Sequence, residues 1–372
     1  MRILHVSEVH WGGVVTLLRH FADEQSRHGH DVHLLAPGAF PRLGSVTHHD
    51  WGIVRGEPAT YLPAVLQLGR LARELQADVV HLHSFVAGFL GRLSMLQPAG
   101  RPVVYQPHAW SSDLYTGSKR TLVERAERIA ARTTDAVVTN CQDELEQGER
   151  QGIHRPAHVL GVAVDIDHLR PPTEEEGLDA KAALGFSDRP MVLVLGRIAY
   201  QKAQDLLVPA WERHPLPEAD LVLVGPGDVE HLRHLAPEQW GKSVHHAGET
   251  KDVRQWLWAA DVLAIPSRYE TVSLVAAEAM STGLPVVATR FNGAVEAITA
   301  GPLPAGGEVV GSGDMPGVLT ACARRLAQRG YDDTERIQAR RRAEVLFRPE
   351  NVYERLQSSY DDAISTYELT KV

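Results

Sequence analysis

Cysteine is scarce in this chain. Its only two, Cys141 and Cys322, stand far apart and in no CxxC or metal-like spacing. That excludes a disulfide framework and leaves two free thiols, as expected in a reducing compartment. Long apolar runs are absent too, and none approaches the roughly 20 residues of a membrane span. The opening MRILHVSEVHWGG lacks the apolar core of a signal peptide. The expectation is a soluble, cytoplasmic protein, with peripheral contact at the inner face of a membrane left open. Positive charge is not in excess. The formal net charge is -9, so the surface as a whole is not built for nucleic acid or anionic lipid, although a local basic patch stays open. Neither GxGxxG nor a P-loop occurs, and no solenoid-period repeat or low-complexity tract is present.

What the chain does have is alternation. Its 372 residues suit two domains. RILHVSEV reads as a strand, VVTLLRHFADEQSRHG as a helix and HDVHLLAP as a second strand. The pattern repeats through ADVVHLH, FVAGFLGRLSML, PVVYQPH, KRTLVERAERIAARTT and DAVVTN. Strands separated by helices argue for a parallel sheet in a doubly wound α/β domain. A proline- and acid-rich stretch then interrupts, and the alternation restarts at MVLVLG. The expected division is an N-terminal domain over 1–165, a linker with a short helix over 166–188 and a C-terminal domain over 189–349. A last helix over 350–372 is expected to pack back on the N-terminal domain. Two such sheets facing each other would form a cleft at the carboxyl ends of their strands, where ligands of these folds bind.

The most informative stretch is YETVSLVAAEAMSTG, residues 269–283. It predicts a mostly apolar helix from about Val272 to Thr282, stopped by Gly283. Glu270 and Glu278 lie eight positions apart on it, about 12 Å at helical rise. A glycosidase pair needs about 5–9.5 Å, so the two carboxylates read as separate hydrogen-bonding posts. Between them the helix mouth offers free N–H groups suited to phosphate. A sugar nucleotide has hydroxyls, phosphates and hydroxyls in that order. The plain alternative makes Glu270 a solvated turn residue and Glu278 a surface residue, which the apolar neighbours of Glu278 oppose.

In LGRIAYQKAQDLL, Arg197 ends a strand and Lys202 follows five residues on. Such cations neutralise a diphosphate leaving group; any one such pair is more often a pair of ordinary loop cations, and its coincidence with the helix after another strand of the same sheet favours the diphosphate. The glycine turn WGGVV and the GPGD loop at 225–228 allow close backbone approach to a ligand. His108 ends a strand, where a lone histidine is more often structural than catalytic. Alternation puts His81 and His83 of HLH on one strand face, but no third ligand in a strong spacing accompanies them, so no metal site is expected.

Together these residues resemble a family. The stretch ADVLAIPSRYETVSLVAAEAMSTGLPVVATRFNGAVEAI resembles the donor-binding signature of retaining glycosyltransferases of family 4, which have the GT-B fold of two Rossmann-like domains facing across a cleft. GRIAYQKAQDLL resembles their arginine–lysine diphosphate motif, and HWGGVVTLLRHFADEQSRHGHDVHLLAP their N-terminal glycine loop. The resemblance implies transfer of a hexose-type sugar from a nucleoside-diphosphate sugar, UDP-linked in the first instance, to a glycan, lipid-linked or natural-product hydroxyl. It places Gly13 by the diphosphate or acceptor, His108 at the transferred sugar and Arg197 with Lys202 on the diphosphate. Glu270 would hold sugar hydroxyls, amides at Val272, Ser273 and Leu274 would meet phosphate and ribose, and Glu278 would accept from ribose hydroxyls. It implies no metal and no cofactor beyond the substrate. Thr271 stands where the family usually has glycine, next to the sugar, and Asn292-Gly293 where many members show Gly-Gly. The rival readings are a sugar-nucleotide epimerase or phosphorylase on the same fold, and a nucleotide-sugar-binding module without catalysis. The basic helix over 118–132 leaves a peripheral membrane contact open, while a Glu124–Arg128 pair would suit a solvated helix.

Overall fold

In the computed structural model, which describes residues 1–44, 46–92, 100–328 and 334–370, the apolar run at the start of the chain forms β1 (Arg2–Ser7), buried beyond its first residue. After it come α1 (Gly13–Arg27), β2 (Asp31–Ala36), β3 (Thr47–Asp50), α2 (Tyr61–Glu74), β4 (Val79–His83) and α3 (Phe85–Arg92). Then come β5 (Val103–Gln106), α4 (Gly117–Ala130), β6 (Ala136–Thr139), α5 (Gln142–Arg150) and β7 (Ala157–Val159). The expected continuation of α3 to residue 96 lies outside the described residues. All seven strands are parallel, in the order β3-β2-β1-β4-β5-β6-β7. Strands buried on both faces read as unbroken apolar runs, and VVHLH and VVYQ obey this with their polar members buried as well.

The second unit opens with α6 (Glu174–Ala183) and β8 (Met191–Leu195), followed by α7 (Gln204–Arg213), β9 (Asp220–Val224), α8 (Glu230–Leu235) and β10 (Val244–His246). It continues with α9 (Val253–Ala259), β11 (Val262–Ile265), α10 (Leu274–Ser281), β12 (Val286–Thr289), α11 (Ala294–Ile298), β13 (Gly307–Val310), α12 (Met315–Ala327) and α13 (Thr334–Leu346). Its six-stranded parallel sheet runs β10-β9-β8-β11-β12-β13. The final helix, α14 (Pro349–Thr370), belongs to the first unit, which comprises Met1–Ala163 and Pro349–Val372; the second comprises Val164–Arg348. Each sheet changes direction of winding at its centre, between β1 and β4 in one and between β8 and β11 in the other. Such switch points are where open α/β sheets bind ligands.

The acid-rich stretch before β8 is built into the second unit. Thr173 caps α6 in a reciprocal box with Glu176, and Lys181 reaches Asp261 at 3.0 Å. Arg340 on α13 donates to the carbonyls of Ile166, Leu169 and Ser281, tying this stretch to the end of α10. Both cysteines are free and buried. Among the described residues no helix is long and apolar enough to cross a membrane.

Candidate functional site

In the second unit the site grows from the ends of β8 and β11. After β8 the chain turns through Gly196 and Arg197 into one 3-10 turn, Tyr200–Lys202, and Ala203 takes a left-handed φ of 56° before α7 begins. That turn swings Lys202 toward the loop after β11. Its Nζ meets Glu270 Oε1 at 2.5 Å, and Ser267 Oγ donates to the same oxygen at 3.0 Å. Gln201 Nε2 donates to Glu270 Oε2 at 3.2 Å. Glu270 is therefore no solvated turn residue, because both its oxygens are held.

The two loops are fastened a second time. Arg268 donates its backbone N–H to Gln201 O at 2.8 Å, and its guanidinium grips Asp205 through two bonds of 2.7 Å. It also lies over the Tyr200 ring at 4.0 Å. The fork–fork pair is the strong form of ion pair, and it holds the Asp205 carboxyl below its usual value. Sequence reading passed over Gln201, Asp205, Ser267 and Arg268, since nothing in the composition of AYQKAQD and PSRYE separates a clamp from ordinary surface charge. A small pocket lies at this point, lined by Val194, Lys202, Ile265, Ser267, Ser273 and Val275.

Helix α10 starts two residues later than its periodicity predicts. Ser273, rather than the threonine at 271, is the cap: its hydroxyl accepts from the Ala276 N–H. Thr271 and Val272 thus form a bend before the helix, Ser273 is extended, and the first-turn amides begin at Leu274. Glu278 is the fifth residue of the helix. Burial pushes its carboxyl up to about 7, and Lys202 pulls the other way. One ammonium therefore acts on both carboxylates. The Arg197 side chain is exposed, while its carbonyl accepts from Gln204 Nε2 at 2.9 Å.

The GPGD loop has a packing reason. Gly225, at φ 147°, lies against the β8 loop so closely that a Cβ would come within 2.2 Å of Gly196 O. Gly196 N–H bonds Val224 O at 2.8 Å and Ile198 N–H bonds Pro226 O at 2.8 Å. The glycines let two backbones touch, which sets the path of Arg197.

In the first unit Gly13 is the exposed first residue of α1, and Gly12, at φ 75°, turns the chain into it. His108 follows β5 in a strained loop, with φ 54° at His108 and 121° at Ala109. Glu144 on α5 holds that loop. It is fully buried and accepts from the N–H groups of Ala109 and Asn140, each at 2.7 Å. Burial raises its carboxyl to about 7 against those two bonds. Glu8 plays the same part at the start of α3, accepting from Val86 and Ala87 at 3.1 and 3.0 Å.

The HLH strand is not isolated. Pairing of β1 with β4 sets His5 opposite His81, and His5, His81 and His83 are all buried. The third imidazole that spacing did not offer thus comes from β1. Ligand nitrogens of the three lie within 4.8 Å of one another. His5 Nδ1 and His83 Nε2 stand at 2.9 Å, a hydrogen-bond distance, whereas two nitrogens of one tetrahedral ion with bonds near 2.0–2.1 Å stand about 3.3 Å apart. His83 Nδ1 in turn meets His108 Nε2 at 3.0 Å. On α4 the observed i,i+4 pair is Arg120–Glu124 at 2.8 Å, not Glu124–Arg128, because Arg128 turns to the carbonyl of Gln151.

Two family profiles match the chain, one described as Glycosyltransferase Family 4 over residues 11–168 and one as Glycosyl transferases group 1 over residues 189–329. A D-inositol 3-phosphate glycosyltransferase of Xylanimonas cellulosilytica is 31% identical over 262 residues, 64% of this chain and 61% of that relative, so the match spans under two thirds of the relative's length. An alpha-maltose-1-phosphate synthase of Mycolicibacterium smegmatis is 30% identical over 318 residues, covering 79% of this chain and 78% of the relative. Among solved structures, Anabaena HepE in complex with UDP-glucose is similar with a TM-score of 0.80 at 20% identity, over 97% of this chain and 99% of that one. At that identity the likeness is one of fold.

Proposed function

From the premise that this chain belongs to the glycosyltransferases of family 4, with their GT-B fold, we propose that it moves a hexose from a UDP-sugar to an acceptor hydroxyl with retention at the anomeric carbon. The observation that carries the reading is the one lysine acting on two carboxylates at the mouth of α10: Lys202 bonds Glu270 at 2.5 Å and draws Glu278 down from the value its burial would impose.

In this reading Arg197, Lys202 and the amides at Val272, Ser273 and Leu274 neutralise the departing diphosphate. Glu270 and Thr271 meet the transferred sugar, and Glu278 accepts from the ribose hydroxyls. Gly13 lies by the diphosphate or acceptor, and His108 contacts the sugar as a neutral imidazole, since burial lowers its basicity to about 3. No protein nucleophile is needed. The acceptor hydroxyl attacks from the face the diphosphate leaves, and the leaving oxygen takes its proton. The positive charge comes from the protein, so transfer proceeds without metal. The acceptor is a glycan, a lipid-linked sugar or a small natural product. Helix α4 exposes Leu122 and Ile129 beside exposed Lys119, Arg125 and Arg132, a surface suited to anionic membrane and hence to a lipid-linked acceptor.

The test is protection against thermal unfolding by UDP-glucose and by GDP-mannose, with and without chelator, together with UDP release from UDP-glucose. UDP-glucose raises the melting temperature, and chelator leaves that shift intact. Glu278→Ala weakens the protection, while Lys202→Ala chiefly slows release. Protection by GDP-mannose alone overturns the nucleotide, and wild-type behaviour of both variants overturns the site.

A further inference from the structure

The buried histidines of the first unit form a single file that ends at His108. Gln25 Oε1 meets His5 Nε2 at 2.9 Å, His5 Nδ1 meets His83 Nε2 at 2.9 Å, and His83 Nδ1 meets His108 Nε2 at 3.0 Å. A branch leaves Gln25 on its other side: its Nε2 donates to Tyr360 Oη at 3.2 Å, and Tyr360 Oη meets His81 Nδ1 at 2.9 Å. Phe21 flanks the His81 and His83 rings, so the file is walled by apolar surface.

A neutral imidazole has one donor nitrogen and one acceptor nitrogen. His5 and His83 are kept neutral by burial, so each must pass on the polarity it receives. An amide oxygen only accepts. His5 therefore carries its proton on Nε2 and accepts on Nδ1 from His83 Nε2–H. His83 then accepts on Nδ1 from His108 Nε2–H. The one consistent result is a His108 that donates inward and turns the Nδ1 lone pair outward.

Rotating the Gln25 amide by half a turn would reverse every one of these bonds and put the proton on His108 Nδ1 instead. In the structure the amide stands the first way, with its Nε2 on Tyr360 Oη. With Gln25 donating to Tyr360, the hydroxyl donates to His81 Nδ1, which leaves the His81 proton on Nε2. Beside that ring Gln106 donates its Nε2 to Asn140 Oδ1 at 2.9 Å, while Gln106 Oε1 and His81 Nε2 are both buried without a hydrogen-bond partner among the described residues. The direction of the file is thus set by the Gln25 amide, which turns its oxygen to His5 and its Nε2 to Tyr360.

We propose that Gln25 is a positioning residue that sets the tautomer of His108, so that His108 presents a hydrogen-bond acceptor to a sugar hydroxyl rather than a donor to a sugar oxygen. The part of this that concerns the sugar rests on the glycosyltransferase reading of His108; the tautomer itself does not. Gln25 lies on α1, Tyr360 on α14 and His108 after β5. The acceptor face of His108 is therefore decided by side chains that touch no substrate.

The experiment is nitrogen-15 NMR of the histidine-labelled full chain, with the His108 signals assigned by their loss in His108→Gln. In the wild type His108 is a single tautomer, protonated on Nε2 and unprotonated on Nδ1. In Gln25→Met both tautomers appear, and kcat/KM for UDP release from UDP-glucose falls by about twofold, as expected when about half the molecules are competent. Tyr360→Phe, which frees the other end of the amide, shifts the tautomer in the same direction and serves if Gln25→Met does not fold. A wild-type His108 protonated on Nδ1, an unmixed tautomer in both variants, or stoichiometric zinc bound by the purified chain with loss of these hydrogen bonds overturns the proposal. Wild-type UDP release by His108→Gln overturns its catalytic meaning and is read separately from the spectra.

Discussion

Replacing Lys202 by methionine keeps the length of the side chain and removes its charge. The structure then dictates two separate effects. Glu278 stands at about 7, with Lys202 as the opposing influence on its burial. Without the ammonium its midpoint moves up, so at neutral pH less of it is ionised. A UDP-sugar carries a pyrophosphate diester that does not titrate in this range, so its pH dependence reports on the protein. If the ribose hydroxyls donate to Glu278, donor affinity falls about tenfold per pH unit below about 7 in the wild type. In Lys202→Met the same fall begins at higher pH. The second effect is on the rate. Loss of one charged group from a leaving-group site costs about 10²–10³ in kcat, about 2.7–4 kcal/mol. Glu270 keeps Ser267 and Gln201 as partners, so the loop survives and the variant can be measured. Calorimetric titration of UDP-glucose from about pH 5.5 to about pH 8.5 gives both midpoints. Affinity that is flat across that range in the wild type, or a midpoint that stays or falls in Lys202→Met, refutes the reasoning.

Gly225→Ala would place a Cβ within 2.2 Å of Gly196 O at a φ of 147°, whereas Gly12→Ala at φ 75° meets nothing within 4 Å. Gly12→Ala loses about 1–3 kcal/mol from backbone strain, and Gly225→Ala loses more, read as the denaturant midpoint at constant m-value. Glu144→Gln sets an amide NH2 against one of the two N–H groups the carboxylate now accepts, costs about 1–3 kcal/mol, and lowers the rate of UDP release without changing UDP-glucose protection. Glu144 and Glu278 both have raised folded values near 7. Their stability contribution is full below about 4.5 and is lost as pH rises through about 7, so the ligand-free chain melts lower at pH 8 than at pH 5, and Glu144→Gln flattens that slope. Flotation with anionic vesicles recovers the protein at low salt, and Leu122→Glu with Ile129→Glu abolishes the recovery.

The alternation of apolar runs with amphipathic stretches was enough to read the central strands of both sheets, because those parallel strands are buried on two faces and declare themselves without help from neighbours. The helix that carries Glu278 was legible for the same local reason. Its start was not: Ser273 and Thr271 are both acceptable caps, and only the path of the backbone chooses the hydroxyl that reaches Ala276 N–H. Short strands such as β3, β7 and β10, with polar or mixed composition, gave no period to read.

The sequence by itself determined the class of fold and the family and offered candidates for a nucleotide-sugar site, since these follow from local pattern and from motifs a few residues long. The tertiary structure decided which of those residues share partners. Lys202 reaches Glu270 across 68 positions, and Gln25 meets Tyr360 across 335. Hydrogen bonds and desolvation act through space over a few ångströms, so the burden on Glu278, the clamp of Arg268 on Asp205 and the file of histidines ending at His108 exist only once the strands have been laid side by side.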